Sequence, residues 1–357
     1  MSRKKNWIGG VLLLALMGVT FYVLLKDQSF SALADALGQV KPGYVVLGLG
    51  LMLVFVGSEA LCTKLILGKL GHRLPYRNCL GYSFVGFYVS SITPSSTGGQ
   101  PAQIYYMTRD KVPAAHGTLN MMLIAVCYQV TALLYAVVTL LIQPGLLDSL
   151  GLGLGLLLIY GGGVMLALTA GMLCLMFLPN AARKLTGGIL GLLARLHIVK
   201  DRSAAQEKLD RQMEEYRAGA VCIRRNPGLL PALLAITVVQ LTSLFSVPFV
   251  VYQAFGLSGY SPWQLIGTQA LLTMATSALP LPGAVGATEG GFVRAFALFF
   301  GAGLVTPAVL VSRGISFYSF LVVSALVTLG MHIRSRRMAL RENHFTGTGE
   351  RSEAKAA

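Results

Sequence analysis

Four charged residues, Glu59, Glu289, Arg294 and Arg313, stand inside otherwise apolar stretches of this 357-residue chain. At the centre of a membrane-spanning helix each would cost about 2.5 to 3.5 kcal/mol, so each requires an opposite charge, a hydrogen-bonding partner or water. Glu289 and Arg313 have the types of an ion pair, and an arginine fork also grips phosphate through two parallel hydrogen bonds. The residues alone leave open whether this is a structural pair or a meeting point with a substrate. Glu59 could accept a proton, meet an amine or make a structural hydrogen bond. Arg294 reads as a side chain that snorkels outward.

Two segments rich in Pro and Gly lie among these charges: "TPSSTGGQP" at 93–101 and "LPLPGAVGATEGG" at 279–291. Each breaks an apolar stretch, Cys79 to Met107 and Trp263 to Phe300, into halves too short to cross a membrane. After each break a helix can restart. The first restart is expected near Pro101, a residue suited to the first helical position. The second is expected near Thr288, an N-cap type, with Glu289 following. Free N–H groups and the positive dipole end at such a start form an anion site. The candidate substrate-binding residues are therefore Pro94, Ser95, Ser96, Thr97, Gly98, Gly99, Gln100 and Gln103 at the first break. At the second they are Pro282, Gly283, Gly286, Thr288 and Glu289, joined by Arg313. Gly98 and Gly99 would let backbone approach a ligand. Glu59 is a candidate coupling residue. Tyr105 and Tyr106 either line the path or pack. The alternative is that both breaks are tight turns filled by neighbouring helices.

The elements that must position these residues are membrane helices. The chain is 54% hydrophobic and 12% charged, about half the charged share of a soluble domain. Six apolar windows run from Trp7 to Leu25, Gly43 to Leu67, Thr118 to Ile142, Gly151 to Leu178, Gly228 to Phe255 and Leu304 to His332, each long enough to span. Of the 29 Lys and Arg residues, 25 fall in the N-terminus, the loops at 64–77, 109–111 and 179–227, and the tail from Arg334. By the positive-inside rule these are cytoplasmic, with both termini inside a cell membrane. The same charge topology makes the first broken stretch enter from the cytoplasm and the second from outside. The fold expected is thus an all-α polytopic membrane protein: six full spans plus two oppositely oriented re-entrant helical hairpins in an inverted repeat. The breaks share Pro-x-x-x-Gly spacing (Pro94 with Gly98, Pro282 with Gly286), and Thr118 and Thr306 each lie 24 residues after the proline. Transporters built on inverted repeats hold substrate at the repeat interface.

The membrane unit is expected at 1–334, with a polar cytoplasmic tail at 335–357. Ala32-Leu33-Ala34 resembles a cleavage site, but the apolar core before it is long, so the first span is expected to be retained. Phe30, Leu33, Leu37 and Val40 suggest a short interfacial helix. Within 179–227, stripes at Leu185, Ile189, Leu192 and Leu196, then at Leu209, Met213, Tyr216 and Ala220, suggest two amphipathic helices lying on the inner leaflet or packing on each other. The five cysteines have no metal-type spacing and are expected to be reduced. The five histidines are scattered near cytoplasmic ends. No catalytic constellation, cofactor motif or metal cluster is evident, so neither cofactor nor metal is expected. The net charge of +15 follows membrane topology and argues against nucleic acid.

"TPSSTGGQPAQIYYM" and "LPLPGAVGATEGGFVRAF", with the later "VSRGISFY", resemble the lysylphosphatidylglycerol synthase transmembrane region, a flippase-like family. The likeness runs from the first span to Arg334. The first family motif maps to Pro94, Gly98, Gly99 and Tyr105, the second to Pro282, Gly283, Gly286, Glu289 and Arg313. Many members carry a basic residue where this chain has Gln103. Full-length relatives join this unit to a cytosolic domain that transfers lysine from tRNA to phosphatidylglycerol, and the product, once moved outward, lowers sensitivity to cationic antimicrobial peptides. The tail here is too short for such a domain, so no transferase activity is expected. The resemblance implies translocation of an aminoacylated or anionic glycerophospholipid from the inner to the outer leaflet. A lipid-binding accessory subunit and a phosphatidylglycerol lysyltransferase-type activity are the alternatives. The expected partners are membrane phospholipid and anionic headgroups at the basic loops, with a second copy or a separate synthase left open.

Overall fold

Uninterrupted apolar runs propagate as helix, and in this chain Pro/Gly clusters mark the main interruptions. The computed structural model describes residues 3–26, 29–177 and 202–356, all helix and connecting turns with no strand among them. The helices are α1 (Arg3–Leu25), α2 (Phe30–Gly38), α3 (Pro42–Lys69), α4 (Tyr76–Ser91), α5 (Gly99–Arg109), α6 (Ala114–Ile142) and α7 (Leu146–Phe177). After the undescribed residues come α8 (Arg202–Arg224), α9 (Leu229–Phe245), α10 (Val247–Ala254), α11 (Pro262–Ser277), α12 (Ala287–Arg313) and α13 (Ser319–Ala356).

Helix ends follow local chemistry. Pro42 opens α3, where its missing N–H is no loss. Gly71, at φ 88°, closes it: the Gly71 N–H donates to the Gly68 carbonyl at 3.3 Å and the His72 N–H to Leu67 at 2.8 Å, a Schellman cap. Ser261 and Gln264 cap α11 reciprocally, the Ser261 N–H donating to Gln264 Oε1 at 2.8 Å.

Five stretches are long and apolar enough to cross a membrane: Pro42–Lys69, Ala114–Ile142, Gly151–Cys174, Leu229–Ala254 and Pro282–Arg337. They match five of the six expected windows, while α1 contributes a shorter apolar run, Leu13–Leu25. The last stretch is not one rod. Gly301, at φ 71° and ψ 167°, breaks α12 after Phe300. By contrast α4 and α5 have 16 and 11 residues, fewer than the roughly 20 a crossing needs, and they pack side by side. The chain is a multi-pass membrane protein.

The packing is two-fold symmetric in its pattern. α3 lies against α9, the first long helix of the other half. α4 packs on α13, and α11, its counterpart, packs on α6. Each broken unit thus rests on the last long helix of the opposite half. The largest core lies between them, from Met52 and Val56 on α3 through Phe245 and Val251 to Phe292, Phe296 and Phe300. A polar clamp closes one end of this packing. Asp110, which caps α5, accepts hydrogen bonds from Asn78 at 3.0 Å and from the Tyr82 hydroxyl, and lies 3.5 Å from Arg334 of α13.

The second expected amphipathic stripe forms α8, which packs on α6 and α3, with the Cys222 thiol donating to the Lys69 carbonyl at 3.2 Å. The first stripe lies outside the described residues. Beside this seat, His72 and His116 are joined ring to ring, Nε2 to Nδ1, at 2.8 Å. Burial, and then the His116 charge, pull the His72 pKa below its ordinary value of 6.5.

Two outcomes follow. A neutral histidine pair needs one donor and one acceptor nitrogen, and double protonation removes the acceptor. Folding favours neutral His72, so the unfolded chain binds more protons below pH 6.5 and stability drops as pH falls through that window. Unfolding midpoints recorded from pH 7.5 to 5.5 should therefore decline, and His72→Gln should flatten the decline. Separately, a Cβ on Gly161 of α7 would lie 2.1 Å from the Met274 carbonyl oxygen of α11, while one on Gly163 meets nothing within 4 Å. Gly161→Ala should destabilise by about 1–3 kcal/mol in detergent melts, and Gly163→Ala should match the unaltered chain.

Candidate functional site

The two breaks open on the same backbone path and then part, Thr97 turning helical where Val285 is extended. Thr93 and Leu281 are extended, at φ −115° and −107°. Pro94 and Pro282 follow, then two residues in the left-handed region: Ser95 and Ser96 at φ 49° and 55°, Gly283 and Ala284 at φ 58° and 51°. Three of these four are not glycine, and each such residue costs about 1–3 kcal/mol unless its surroundings hold it there. What holds them is mutual contact, for the turns Pro94–Ser96 and Pro282–Ala284 pack against each other.

Beside the paired turns lies a cavity of about 470 Å³, within the range of small-molecule sites. Of the residues singled out from sequence, Glu59, Ser95, Ser96, Gln100, Gln103, Gly283, Thr288 and Arg313 line it. Pro94, Thr97, Gly98, Gly99, Pro282, Gly286 and Glu289 do not. The glycines at 98 and 99 leave room for α4, not for a ligand. A Cβ on Gly99 would meet Ser90 Oγ at 2.0 Å, and one on Gly98 would meet Thr93 at 2.7 Å.

The helix starts differ from expectation. α5 begins at Gly99, two residues before Pro101. Pro101 has no N–H, and the N–H groups of Gly99 and Gln100 find no hydrogen-bond acceptor among the described residues. These two donors at the start of α5 are left open. α12 begins at Ala287 with Gly286 as N-cap, so Thr288 is not the cap. Glu289 instead takes the Gly286 N–H at 2.7 Å. Its carboxylate counters the dipole at this end, because a side chain at the third helical position reaches back to the cap.

Glu289 is 1% exposed and is held by two more donors. Arg313 Nε donates to it at 2.7 Å, and the Tyr318 hydroxyl at 3.1 Å. Arg313 also donates to the Gly283 carbonyl at 3.2 Å and stands 4.2 Å from the Phe317 ring centre. The π-helical turn Gly314–Tyr318 positions both aromatic rings, as such turns often do at functional sites. A guanidinium has five donors, and two are used here. Arg313 keeps 12% side-chain exposure and lines the cavity, so donors remain for an anionic ligand. Glu59 also faces the cavity, accepting a hydrogen bond from Gln103 Nε2 at 3.0 Å. Arg294 is exposed and away from the cavity. Tyr105 stacks near Arg109 and Tyr106 packs in the core beside Met107, so neither lines it.

Sequence reasoning missed the polar stripes on the helices entering each break. Ser83, Gly86 and Ser90 on α4, and Gln269, Thr273, Thr276 and Ser277 on α11, all line the cavity. The signal was helical spacing of small polar residues inside apolar segments. Their facing could be read only after both helices were placed.

Removing one partner of a buried pair strands a charge, at about 3–5 kcal/mol. Glu289→Ala should therefore destabilise strongly in thermal melts, and the double change Glu289→Gln with Arg313→Met should recover a substantial part of the loss.

Comparison with known proteins agrees with this architecture. A membrane protein of Archaeoglobus fulgidus described as a UPF0104 membrane protein is 22% identical over 272 residues, spanning 75% of this chain and 80% of that protein. The family model of the lysylphosphatidylglycerol synthase TM region matches residues 6–324. The chain, with its paired helix breaks and buried Glu289–Arg313 bridge, belongs to the lysylphosphatidylglycerol synthase TM region family.

Proposed function

We propose that this protein moves a polar lipid headgroup across the cytoplasmic membrane, from the inner to the outer leaflet, while the acyl chains stay in lipid. The observation that carries this reading is the cavity of about 470 Å³ beside two helix breaks that meet tip to tip. Irregular backbone at membrane depth is tolerated where protein or a water-filled cavity surrounds it. In this reading α4 with α5, and α11 with the first half of α12, are re-entrant units entering from opposite faces, and the basic loops place both termini in the cytoplasm. The two halves then alternate access by rocking about the shared packing of α3 and α9.

The substrate class is a glycerophospholipid, anionic or aminoacylated. Its phosphate would sit between Gln100, which lines the cavity at the start of α5, and the spare donors of Arg313. Ser95, Ser96, Gln100 and Thr288 offer hydrogen bonds to the rest of the headgroup. Movement, not chemistry, is the proposed activity.

In vesicles holding a fluorescently tagged anionic phospholipid, the purified chain should make inner-leaflet probe accessible to an impermeant quencher. Thr288→Trp, which places bulk in the cavity and obstructs a headgroup, should slow this by about tenfold or more, roughly 1.4 kcal/mol added to the barrier, with an unchanged melting midpoint. Movement no faster than in empty vesicles, or Thr288→Trp moving lipid at the full rate, would refute the reading.

A further inference from the structure

We infer that Glu59, Gln103 and Ser83 form a binding site for a single small monovalent cation in the cavity wall. Glu59 comes from α3, Ser83 from α4 and Gln103 from α5, and all three line the cavity. Among the described residues, no Lys, Arg or His lies within salt-bridge distance of Glu59. Arg313, the one basic residue in the cavity lining, is held by Glu289. An ionised Glu59 would therefore have no charge partner among the described residues, in surroundings where an unpaired charge is costly, and a bound cation is what would let it stay charged.

One further oxygen is orphaned beside it. Gln103 Oε1 has no hydrogen-bond partner although Gln103 is 5% exposed, and the buried Ser83 hydroxyl stands next to Glu59. Such groups call for an unseen water or ion. Beside an ionised Glu59 the Gln103 amide has one sensible orientation: its Nε2 donates to Glu59 at 3.0 Å, and turning it over would set two acceptors against each other. Oε1 is thus left as an acceptor in need of a positive partner. The placement is built in. Gln103 lies in the space left by Gly86, one helical turn beyond Ser83, where a Cβ would stand 2.0 Å from its Nε2. A carboxylate, an amide oxygen and a hydroxyl are hard oxygen ligands, and a single carboxylate balances a single positive charge.

A sodium ion and the primary ammonium of a lipid headgroup share this chemistry. Occupancy does not depend on lipid movement; a coupling role for the ion would rest on the translocation reading. The test is the unfolding midpoint of the full chain, purified in an uncharged detergent at pH 7.5, titrated with sodium, potassium, choline or ethanolamine chloride at constant ionic strength. A saturable rise with sodium, absent in choline and lost in Glu59→Gln, supports a metal-ion site. A rise with ethanolammonium alone assigns the same site to a headgroup amine. Ser83→Ala keeps the fold and should weaken the apparent affinity by about fivefold, one hydrogen-bond equivalent. Identical curves in all four salts, a response to pH alone, or a rise unchanged in both Glu59→Gln and Ser83→Ala would overturn the inference. None of these outcomes bears on whether lipid crosses the membrane.

Discussion

A helix break among apolar helices strands backbone N–H and C=O groups that no water shell will satisfy, and the structure is organised around satisfying them. The two breaks begin alike but meet this demand differently. At the first, hydroxyls do the work locally: Thr93 accepts from the Gly98 N–H at 3.1 Å and donates to the Val89 carbonyl at 2.8 Å, and Ser90 reaches the Ser96 carbonyl at 3.3 Å. At the second, a long-range bridge does it: Glu289 holds the Gly286 N–H and Arg313 holds the Gly283 carbonyl.

That difference makes a pseudo-symmetric scaffold asymmetric in charge. The start of α12 is neutralised by its own carboxylate, whereas the start of α5 keeps N–H groups open. Arg313 is both a strut and a cavity-facing cation, so its loss would be felt in the fold before any ligand is considered. Glu59 stands across the cavity from this arrangement as a carboxylate without a basic partner.

The surrounding contacts explain why such strained turns persist. Left-handed Ser95, Ser96 and Ala284 are held because the two turns press on each other. Each broken unit also leans on the last long helix of the opposite half, and the Asp110 clamp ties α4 and α5 to α13. A displacement of one half against the other would act on the cavity wall directly, since helices of both halves form it.

Apolar run length and the placement of Pro and Gly were enough to locate the long helices, both breaks and the buried charges, because these depend on local backbone chemistry and on the cost of charge in an apolar medium. Helix starts were legible only to within a few residues: Gly99 and Ala287 begin where Pro101 and Thr288 were expected, since Glu289's reach to Gly286 and the seat of Gly99 on α4 decide the register. Which polar residues face the cavity was not legible at all. Gly98 and Gly99 looked like ligand contacts and are helix-packing contacts, while Ser83 and Gln269, which nothing in the sequence singled out, face the chamber. One chain carries the periodicity of a face but not the identity of what lies opposite, and only the packing of α3, α4, α6, α11 and α12 around a shared space settles that.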